Sequence, residues 1–329
     1  MDLTTKYLGL NLKNPIIIGS CSLTSSLSEI KKLEKHGAGA VVLKSIFEEE
    51  ILMDAESQLK EASENRFIYD KYSETLDYID LHVKEERLND YIQLIKSAKK
   101  EVLIPIIASI NCVSDAEWTV FAKRIEEAGA DALELNISLN PTDLEMRDFE
   151  QTMHAIIQKV LKQVKIPVAV KINNSFTHMA RTILDLAASG IGGLVLFNRA
   201  YMPDIDINTL EAVQGRSFSS PENYSESLRW MALLSDQVNC SMVASSGIHT
   251  SEALIKQLLA GADAVQIVSA LYENGEDHIN LLLNELEKWM LAKGFSSLEQ
   301  FKGKASSKKV GNPAVFERIQ FMKHYAGIN

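Results

Sequence analysis

The sequence predicts an α/β fold, a closed (β/α)8 TIM barrel, and three observations support this prediction. A helix end, a Gly-Ala-type turn and a short apolar run recur four times, starting near residues 36, 128, 189 and 260. Runs of this kind are typical of parallel strands buried on both faces. Four further apolar runs make eight, and eight strands alternating with helices over about 250 residues match the size of a barrel. A doubly wound open sheet is the alternative, but no Gly-x-Gly-x-x-Gly motif follows the first run.

The predicted strands, in chain order, cover residues 15–20, 40–43, 104–110, 132–135, 167–172, 194–197, 241–245 and 264–267. Two of them begin with an Ile-Pro step, at Pro105 and Pro167, where proline ends the preceding helix and is tolerated as the first strand residue. Apolar residues at spacings of three and four predict the helices between the strands. Thr250, followed by Ser and Glu, predicts the start of one such helix.

Composition indicates an ordinary globular protein, which we interpret as one domain over residues 1–329. The net charge of −10 argues against a nucleic-acid-binding surface. Cys21, Cys112 and Cys240 are too few and too scattered for a disulfide framework or a cysteine-rich metal site, so we expect no metal. No signal peptide is visible, and no apolar run approaches the roughly 18 residues of a membrane span. We therefore expect a cytoplasmic protein without a membrane partner.

Two long segments interrupt the repeat, and both follow strands on the side where the site is expected. Residues 48–86 are acidic and rich in Tyr, and residues 201–224 contain Pro203, Gly215 and Pro221. Long loops in compact domains are commonly lids or disordered segments. The tail over residues 303–329 is basic and then helical, and the sequence assigns it no role.

Polar residues close several predicted strands, at the end where parallel α/β folds bind their ligands. Lys44 and Lys171 end two apolar runs, and Asn136 and Asn198 end two others. A lysine in that position is costly to desolvate unless an anion meets it. The alternative is that each ammonium group extends to solvent at the barrel rim. Two lysines at one face favour the functional interpretation.

The seventh and eighth runs end in small and hydroxyl residues, Ser246-Gly247 and Val268-Ser269. Loops after the corresponding barrel strands often hold a phosphate group with backbone amides and a helix N-terminus. Ordinary strand-to-helix turns favour the same residue types, so this signal alone is weak. Together with the two lysines it predicts a phosphorylated small-molecule ligand.

At these residues the chain resembles the dihydroorotate dehydrogenase family, particularly its soluble class. The matching motifs, in chain order, are Tyr7-Leu8-Gly9-Leu10 with Lys13-Asn14-Pro15, Leu43-Lys44-Ser45, Glu134-Leu135-Asn136-Ile137-Ser138, Val170-Lys171, Ser246-Gly247-Ile248 and Gln266-Ile267-Val268-Ser269-Ala270-Leu271. The resemblance covers about residues 1–300. It implies an FMN-dependent barrel that oxidises dihydroorotate to orotate in pyrimidine biosynthesis, passing a hydride to flavin N5. It also implies a homodimer, since soluble members are often dimers.

The resemblance assigns roles to residues of this chain. The residues expected to bind the cofactor FMN are Gly19, Ser20, Lys44, Ser45, Asn111, Asn136, Lys171, Ser246, Gly247, Val268 and Ser269. Lys171 matches the lysine near the N1 and O2 edge of the flavin, where a fixed ammonium group stabilises the negative charge left by hydride transfer. The residues expected to bind the substrate are Lys44, Asn136, Asn198 and Arg199.

The chain departs from the family at the residues for proton transfer and substrate recognition. Leu139 occupies the position of the family's catalytic base, and leucine cannot accept a proton. Ser138 and Cys112 are weak substitutes, so the catalytic residue stays open. Residues 48–78 lack the family's pyrimidine-binding loop motif, and Arg199 stands where the family has Ser or Thr. Arginine in that position could bind a carboxylate through two hydrogen bonds.

Three hypotheses follow from this mixture of conserved cofactor positions and altered substrate positions. The first is an FMN-dependent oxidoreductase of the dihydroorotate dehydrogenase type. The second keeps the flavin but reduces or oxidises a different substrate, with a proton from solvent. The third is a flavin-free, non-catalytic barrel that binds a phosphorylated ligand. The sequence leaves the electron acceptor open. It contains no cysteine cluster that would bind an iron–sulfur centre.

Overall fold

The computed structural model describes residues 1–47, 72–112, 118–137, 148–199, 202–311 and 316. Among these residues, eight parallel strands close into a ring. The strands are β1 (Thr5–Tyr7), β2 (Leu10–Leu12), β3 (Ile16–Ile18), β4 (Ala40–Val42), β5 (Ile46–Phe47), β6 (Ile106–Cys112), β7 (Ala132–Ile137), β8 (Val168–Ile172), β9 (Gly193–Leu196), β10 (Asp204–Asp206), β11 (Glu211–Val213), β12 (Ser241–Ser245) and β13 (Ala264–Ile267). The ring runs β3-β4-β6-β7-β8-β9-β12-β13 and returns to β3. This closure confirms the predicted (β/α)8 barrel.

Helices follow the barrel strands and pack around the ring. The helices are α1 (Leu27–Lys35), α2 (Tyr72–Glu101), α3 (Trp118–Glu127), α4 (Phe149–Leu161), α5 (Met179–Ala188), α6 (Tyr224–Leu234), α7 (Ser251–Ala260), α8 (Ser269–Asn274) and α9 (His278–Lys293). At the start of α7, the Thr250 hydroxyl accepts a hydrogen bond from the amide of Ala253, which confirms the predicted N-cap. The outward strand residues and the inner helix faces form the larger apolar core.

Alternate strand residues point into the barrel, because successive side chains of a strand face opposite sides of the sheet. The lower interior is apolar and includes Ile17, Val42, Ile107 and Val195. The hairpin β1–β2 closes the amino-terminal end of the ring, where Tyr7 packs into the same cluster. Among the described residues, apolar side chains therefore fill this end, whereas polar residues lie at the carboxyl end.

Both Ile-Pro steps are anchored by a carboxylate from a preceding helix. Glu34 Oε1 accepts hydrogen bonds from the two backbone amides that precede Pro105, at 2.6 and 3.2 Å. Glu126 Oε1 accepts from the two amides that precede Pro167, at 2.5 and 3.0 Å. These contacts satisfy backbone donors at the entry to β6 and β8, where proline interrupts regular hydrogen bonding.

The two segments expected as long loops contain regular structure in their described parts. Helix α2 begins at Tyr72, so residues 72–86 are helical, whereas residues 48–71 lie outside the described residues. The segment after β9 contains the antiparallel hairpin β10–β11 and a short 3-10 helix, Pro221–Asn223. The sequence interpretation gave weight to the acidity of residues 72–86, although Glu, Lys and Leu also favour a helix.

The beginning of the tail packs against the outside of the barrel. The backbone amides of Gly303, Ala305 and Ser307 donate to carbonyl groups of α7 and α6, at 2.9, 2.7 and 2.8 Å. The predicted helical part of the tail lies outside the described residues, apart from position 316. None of the helices in the described ranges is long and apolar enough to cross a bilayer.

We predict that Glu126→Gln destabilises the protein by about 1 kcal/mol at neutral pH, since hydrogen bonds to a charged acceptor contribute more than neutral ones. The hydrogen bond from Lys123, together with the two backbone amides, lowers the pKa of Glu126. A lowered carboxyl pKa stabilises the folded state above the unfolded value of about 4.3, and this contribution is lost as the pH falls through the folded pKa. The difference in the free energy of unfolding between wild type and variant should therefore become smaller at acidic pH.

Urea unfolding of both proteins at pH 7 and in acid measures this difference. Glu127→Gln is the matched control, because Glu127 is exposed and adjacent on the same helix. If Glu126→Gln lowered the free energy of unfolding by the same amount at both pH values, the role of the charged carboxylate would be contradicted.

Candidate functional site

The carboxyl end of the barrel brings most of the predicted site residues together. One cavity of about 210 Å³ lies there, between the ends of strands β3, β8, β9, β12 and β13. Its lining includes the predicted residues Ser20, Lys171, Asn198, Arg199, Ser246, Gly247, Val268 and Ser269. Lys171 lies on strand β8 and the other residues come from four separate loops, so only the closed ring places them around one space.

A buried polar chain lies directly beneath this cavity. Lys171 Nζ donates to Gln266 Oε1 at 2.9 Å, and Gln266 Nε2 donates to Glu134 Oε2 at 2.5 Å. The ammonium group also lies 4.0 Å from Glu134 Oε1. Glu134 is 0% exposed and Lys171 is 9% exposed. The three side chains therefore hold a fixed charge pair at the top of the barrel interior.

Burial raises the pKa of the Glu134 carboxyl, and the ammonium group of Lys171 and the hydrogen bond from Gln266 oppose that rise. Glu134 Oε1 has no hydrogen-bond partner among the described residues. The sequence analysis expected an anion from the ligand to meet Lys171. Instead, an anionic group of the protein itself meets the ammonium from below, and the upper side of Lys171 faces the cavity.

Three hydroxyl groups connect the ends of β3, β4 and β6. Ser20 Oγ lies 3.0 Å from Ser45 Oγ, and Ser45 Oγ lies 2.7 Å from Ser109 Oγ. The amide of Ser45 also donates to Ser20 Oγ at 2.8 Å. Tyr91 from α2 exchanges hydrogen bonds with the backbone of Ser109. Ser20 and Ser45 are thus in direct contact, as expected for two residues of one site.

The predicted asparagines also lie at this end. Asn198 Nδ2 donates to Asn136 Oδ1 at 2.8 Å, and Asn136 is in register with Asn111 and Lys171 on the neighbouring strands. Asn111 is buried, and its Oδ1 lacks a hydrogen-bond partner in the part of the chain that the structure describes. The side chains of Asn136 and Asn198 are therefore paired, and Asn111 has an acceptor oxygen that no described residue meets.

Arg199 lies between the main cavity and an adjoining one of about 100 Å³. Its Nη2 donates to the backbone carbonyl of Arg216, whereas Nη1 is buried without a hydrogen-bond partner from the described residues. Burial, together with the nearby charge of Arg216, lowers the pKa of Arg199. A guanidinium group in this state is suited to bind an anionic group, which would supply both the missing acceptor and the missing charge.

The first predicted phosphate loop, at Ser246-Gly247, has a backbone conformation that favours small residues. Ser246 and Gly247 have positive φ angles of 73° and 74°. A Cβ atom on Gly247 would lie 2.1 Å from the amide nitrogen of Tyr224, so no side chain fits there. Ser246 tolerates the left-handed conformation while its hydroxyl donates to the carbonyl of Phe197 at 3.2 Å. Such conformations cluster at ligand-binding sites.

Gly19 follows β3, and its amide donates to the carbonyl of Ile267 at 3.1 Å. A Cβ atom there would approach Val268 Cγ2 to 2.9 Å and Gln266 Oε1 to 3.3 Å. The absence of a side chain at Gly19 therefore allows Val268 and Gln266 to pack against the backbone.

The structure describes the remaining predicted residues only in part. Lys44 follows β4, and its amide lies 3.5 Å from the carbonyl of Thr24. The backbone of Cys112 ends β6 and pairs with Ile137, but its side chain is outside the described set. Ser138 and Leu139, the weak base candidate and the residue at the family's base position, also lie outside the described residues. No cluster of metal-ligating side chains occurs in the described ranges.

The sequence analysis missed four residues of the site, namely Glu134, Gln266, Ser219 and His249. Glu134 and Gln266 are parts of the motifs considered above, and the period-two alternation of strands would have placed Glu134 on the same inward face as Asn136. Nothing in the local sequence indicates the contact between Ser219 and His249, which are 30 positions apart.

Comparison of the sequence with known proteins finds a matching family. The sequence profile of the family described as dihydroorotate dehydrogenase matches residues 2–290. The catalytic subunit of dihydroorotate dehydrogenase B (NAD+) from Thermoplasma volcanium is 26% identical, over 92% of this chain and 98% of that protein. The protein of the same name from Methanocaldococcus jannaschii is also 26% identical, over 92% and 98% of the two chains.

A relative with a different substrate in its name matches over a similar range. The chloroplastic dihydropyrimidine dehydrogenase (NADP+) from Arabidopsis thaliana is 24% identical, over 92% of this chain and 76% of that protein. The names of these relatives thus differ in both substrate and electron acceptor, so similarity alone does not determine the reaction of this chain.

Proposed function

Because the chain belongs to the dihydroorotate dehydrogenase family, we propose that it is an FMN-dependent oxidoreductase acting on a CH–CH bond of a small-molecule substrate. Dihydroorotate, oxidised to orotate in pyrimidine biosynthesis, is the first candidate substrate. The observation that carries this proposal is the buried ammonium group of Lys171, held by Gln266 and Glu134 at the floor of a cavity whose rim has the phosphate-loop geometry.

The residues of the cavity fit FMN. The ammonium group of Lys171 and the hydroxyl residues Ser246 and Ser269 line the cavity, and these groups can meet the negative charge of a phosphate group or of a reduced flavin ring. We assign the phosphate group to Ser246, Gly247, Val268 and Ser269, and the ring to the end near Gly19, Ser20 and Lys171. When bound, FMN supplies a hydride acceptor whose N1 and O2 edge takes up negative charge.

Lys171 has the main electrostatic role in this proposal. Its ammonium group cannot leave the barrel interior easily, because Gln266 accepts one of its hydrogens and Glu134 lies 4.0 Å away. A charge that is already oriented before reaction needs no reorganisation when negative charge develops nearby. The buried carboxylate therefore acts on the reaction through Lys171, by holding the ammonium in place.

Substrate recognition falls to the polar groups on the other side of the cavity. The paired amides of Asn136 and Asn198 present fixed donors and acceptors, and Arg199 presents a donor, Nη1, that no described residue meets. A substrate with amide-like edges and one anionic group would satisfy both. Orotate-type compounds have this combination, and so do other acidic cyclic substrates.

Proton transfer is the step for which the chain lacks the family residue. Leu139 cannot accept a proton, so the base is Ser138, Cys112 or a solvent molecule in this proposal. Leu139, together with Arg199 Nη1, which has no partner among the residues that the structure describes, favours a second candidate function. In that function the same FMN site acts on a different acidic substrate, and the proton is exchanged with solvent.

A partner subunit is also part of the proposal. The two archaeal relatives are named as catalytic subunits, and by that name each works with another subunit. We propose that this chain likewise passes electrons to a separate protein. The homodimer expected from the family resemblance stays a prediction.

The direct test of the proposed function is an anaerobic titration of FMN-loaded protein with dihydroorotate, followed by flavin absorbance. Bleaching within seconds is the expected result for the first candidate substrate. A yellow protein that stays yellow would instead support the second candidate, with another substrate. A colourless protein that cannot be loaded with FMN would contradict both and favour a flavin-free, phosphate-binding barrel.

We predict that Arg199→Ala weakens the binding of an acidic substrate about tenfold or more, as expected when a charged hydrogen bond is lost. The flavin-to-protein ratio should stay near that of wild type, since the ring and phosphate assignments do not include Arg199. Substrate titrations monitored by flavin absorbance measure the first quantity, and the visible spectrum measures the second.

Arg181→Ala is the matched control, because Arg181 is 75% exposed and pairs only with Asp185 on the surface of α5. Equal substrate affinity in Arg199→Ala and wild type would show that Arg199 does not contact the substrate.

A further inference from the structure

Three side chains form a hydrogen-bonded chain along the phosphate end of the cavity. Ser219 Oγ lies 3.0 Å from His249 Nε2, and His249 Nδ1 lies 3.2 Å from Glu273 Oε2. Ser219 and His249 are only 5% and 6% exposed, whereas Glu273 reaches the surface of α8. Both buried residues line the same cavity as Ser246, Gly247 and Ser269.

The surrounding contacts hold this chain in place. The amide of Ser219 donates to the Ser269 hydroxyl at 2.9 Å, so the loop before α6 is tied to the second phosphate loop. The backbone carbonyl of His249 lies 2.8 Å from His278 Nε2. The His249 amide donates to the carbonyl of Gly247 at 3.1 Å, which places the imidazole directly after the first phosphate loop.

The protonation state of His249 decides what Ser219 can offer to a ligand. A neutral imidazole that donates Nδ1–H to Glu273 must accept at Nε2, and it then takes the hydroxyl hydrogen of Ser219. A protonated imidazole donates at both nitrogens, so Ser219 Oγ becomes the acceptor and its hydrogen is free to point into the cavity. Only the protonated state therefore gives a phosphate group both a donor and a positive charge.

We infer that Ser219, His249 and Glu273 recognise the phosphate group of the bound ligand, and that phosphate binding is coupled to the uptake of one proton by His249. The inference rests on the proposed FMN site and deepens it. Ser219 is the group that contacts the phosphate, and His249 and Glu273 act through it as positioning residues.

The charges around His249 determine the balance between the two states. They are Glu273 on α8, Glu222 on the 3-10 helix Pro221–Asn223, His278 on α9, Arg216 beside Glu222, and Lys171 and Arg199 across the cavity. The two carboxylates favour the protonated imidazole and the cations oppose it. A dianionic phosphate added to the cavity shifts this balance towards the protonated form.

The test compares FMN with riboflavin, which lacks the phosphate group. Affinities of the apoprotein are measured by flavin fluorescence between about pH 5.5 and 8.5, the range in which imidazoles titrate. For wild type, the preference for FMN over riboflavin should fall as the pH rises, by up to about tenfold per pH unit for one coupled proton. The second ionisation of the FMN phosphate, with a pKa of about 6, acts in the opposite direction.

Variants separate the two ionisations. His249→Gln retains the phosphate ionisation but should lose the fall in FMN preference at high pH, with riboflavin affinity unchanged. Glu273→Gln should move the fall to lower pH, because the imidazolium loses its carboxylate partner. His154→Gln, on α4 and outside both cavities, is the matched control and should behave as wild type.

One result would overturn the inference while leaving an FMN site intact, namely the same pH dependence of FMN preference in wild type and His249→Gln. Failure of wild type to bind either flavin at any pH would contradict the proposed function itself, and with it the inference.

Discussion

The charge pair inside the barrel is the constraint on which the site depends. Placing an ammonium and a carboxylate away from water is costly unless geometry and hydrogen bonds compensate. Gln266 bridges Lys171 and Glu134 with two hydrogen bonds, because β8, β13 and β7 place alternate side chains on the inward face. Glu134 Oε1 lacks a hydrogen-bond partner among the described residues. The closed ring is therefore a requirement of the site as well as its scaffold.

This pair divides the barrel interior into two parts. Below it, the interior is apolar and is capped by Tyr7 and the first hairpin. Above it, hydroxyl, amide and guanidinium groups surround the cavity, and the phosphate loops form one side. The polar groups are therefore concentrated where parallel strands end, in agreement with the general rule for barrel enzymes.

The eight strands were predictable because each is a local apolar run. The polar residues that close them were predictable because they directly follow these runs in the sequence. Partners across the barrel were not predictable. Glu134 and Gln266 are 132 positions apart, and Ser219 and His249 come from different loops, so their contacts exist only after the ring closes. The helical start at Tyr72 was missed because acidity was given more weight than helix propensity.

The central claim is that the buried pair holds a fixed positive charge against the flavin, and the midpoint potential of bound FMN tests it most directly. Lys171→Met should lower the potential, because the negative charge on the reduced ring loses its stabilising cation. Glu134→Gln should raise it, because the ammonium is then less neutralised. Potentials unchanged from wild type in both variants would contradict the claim.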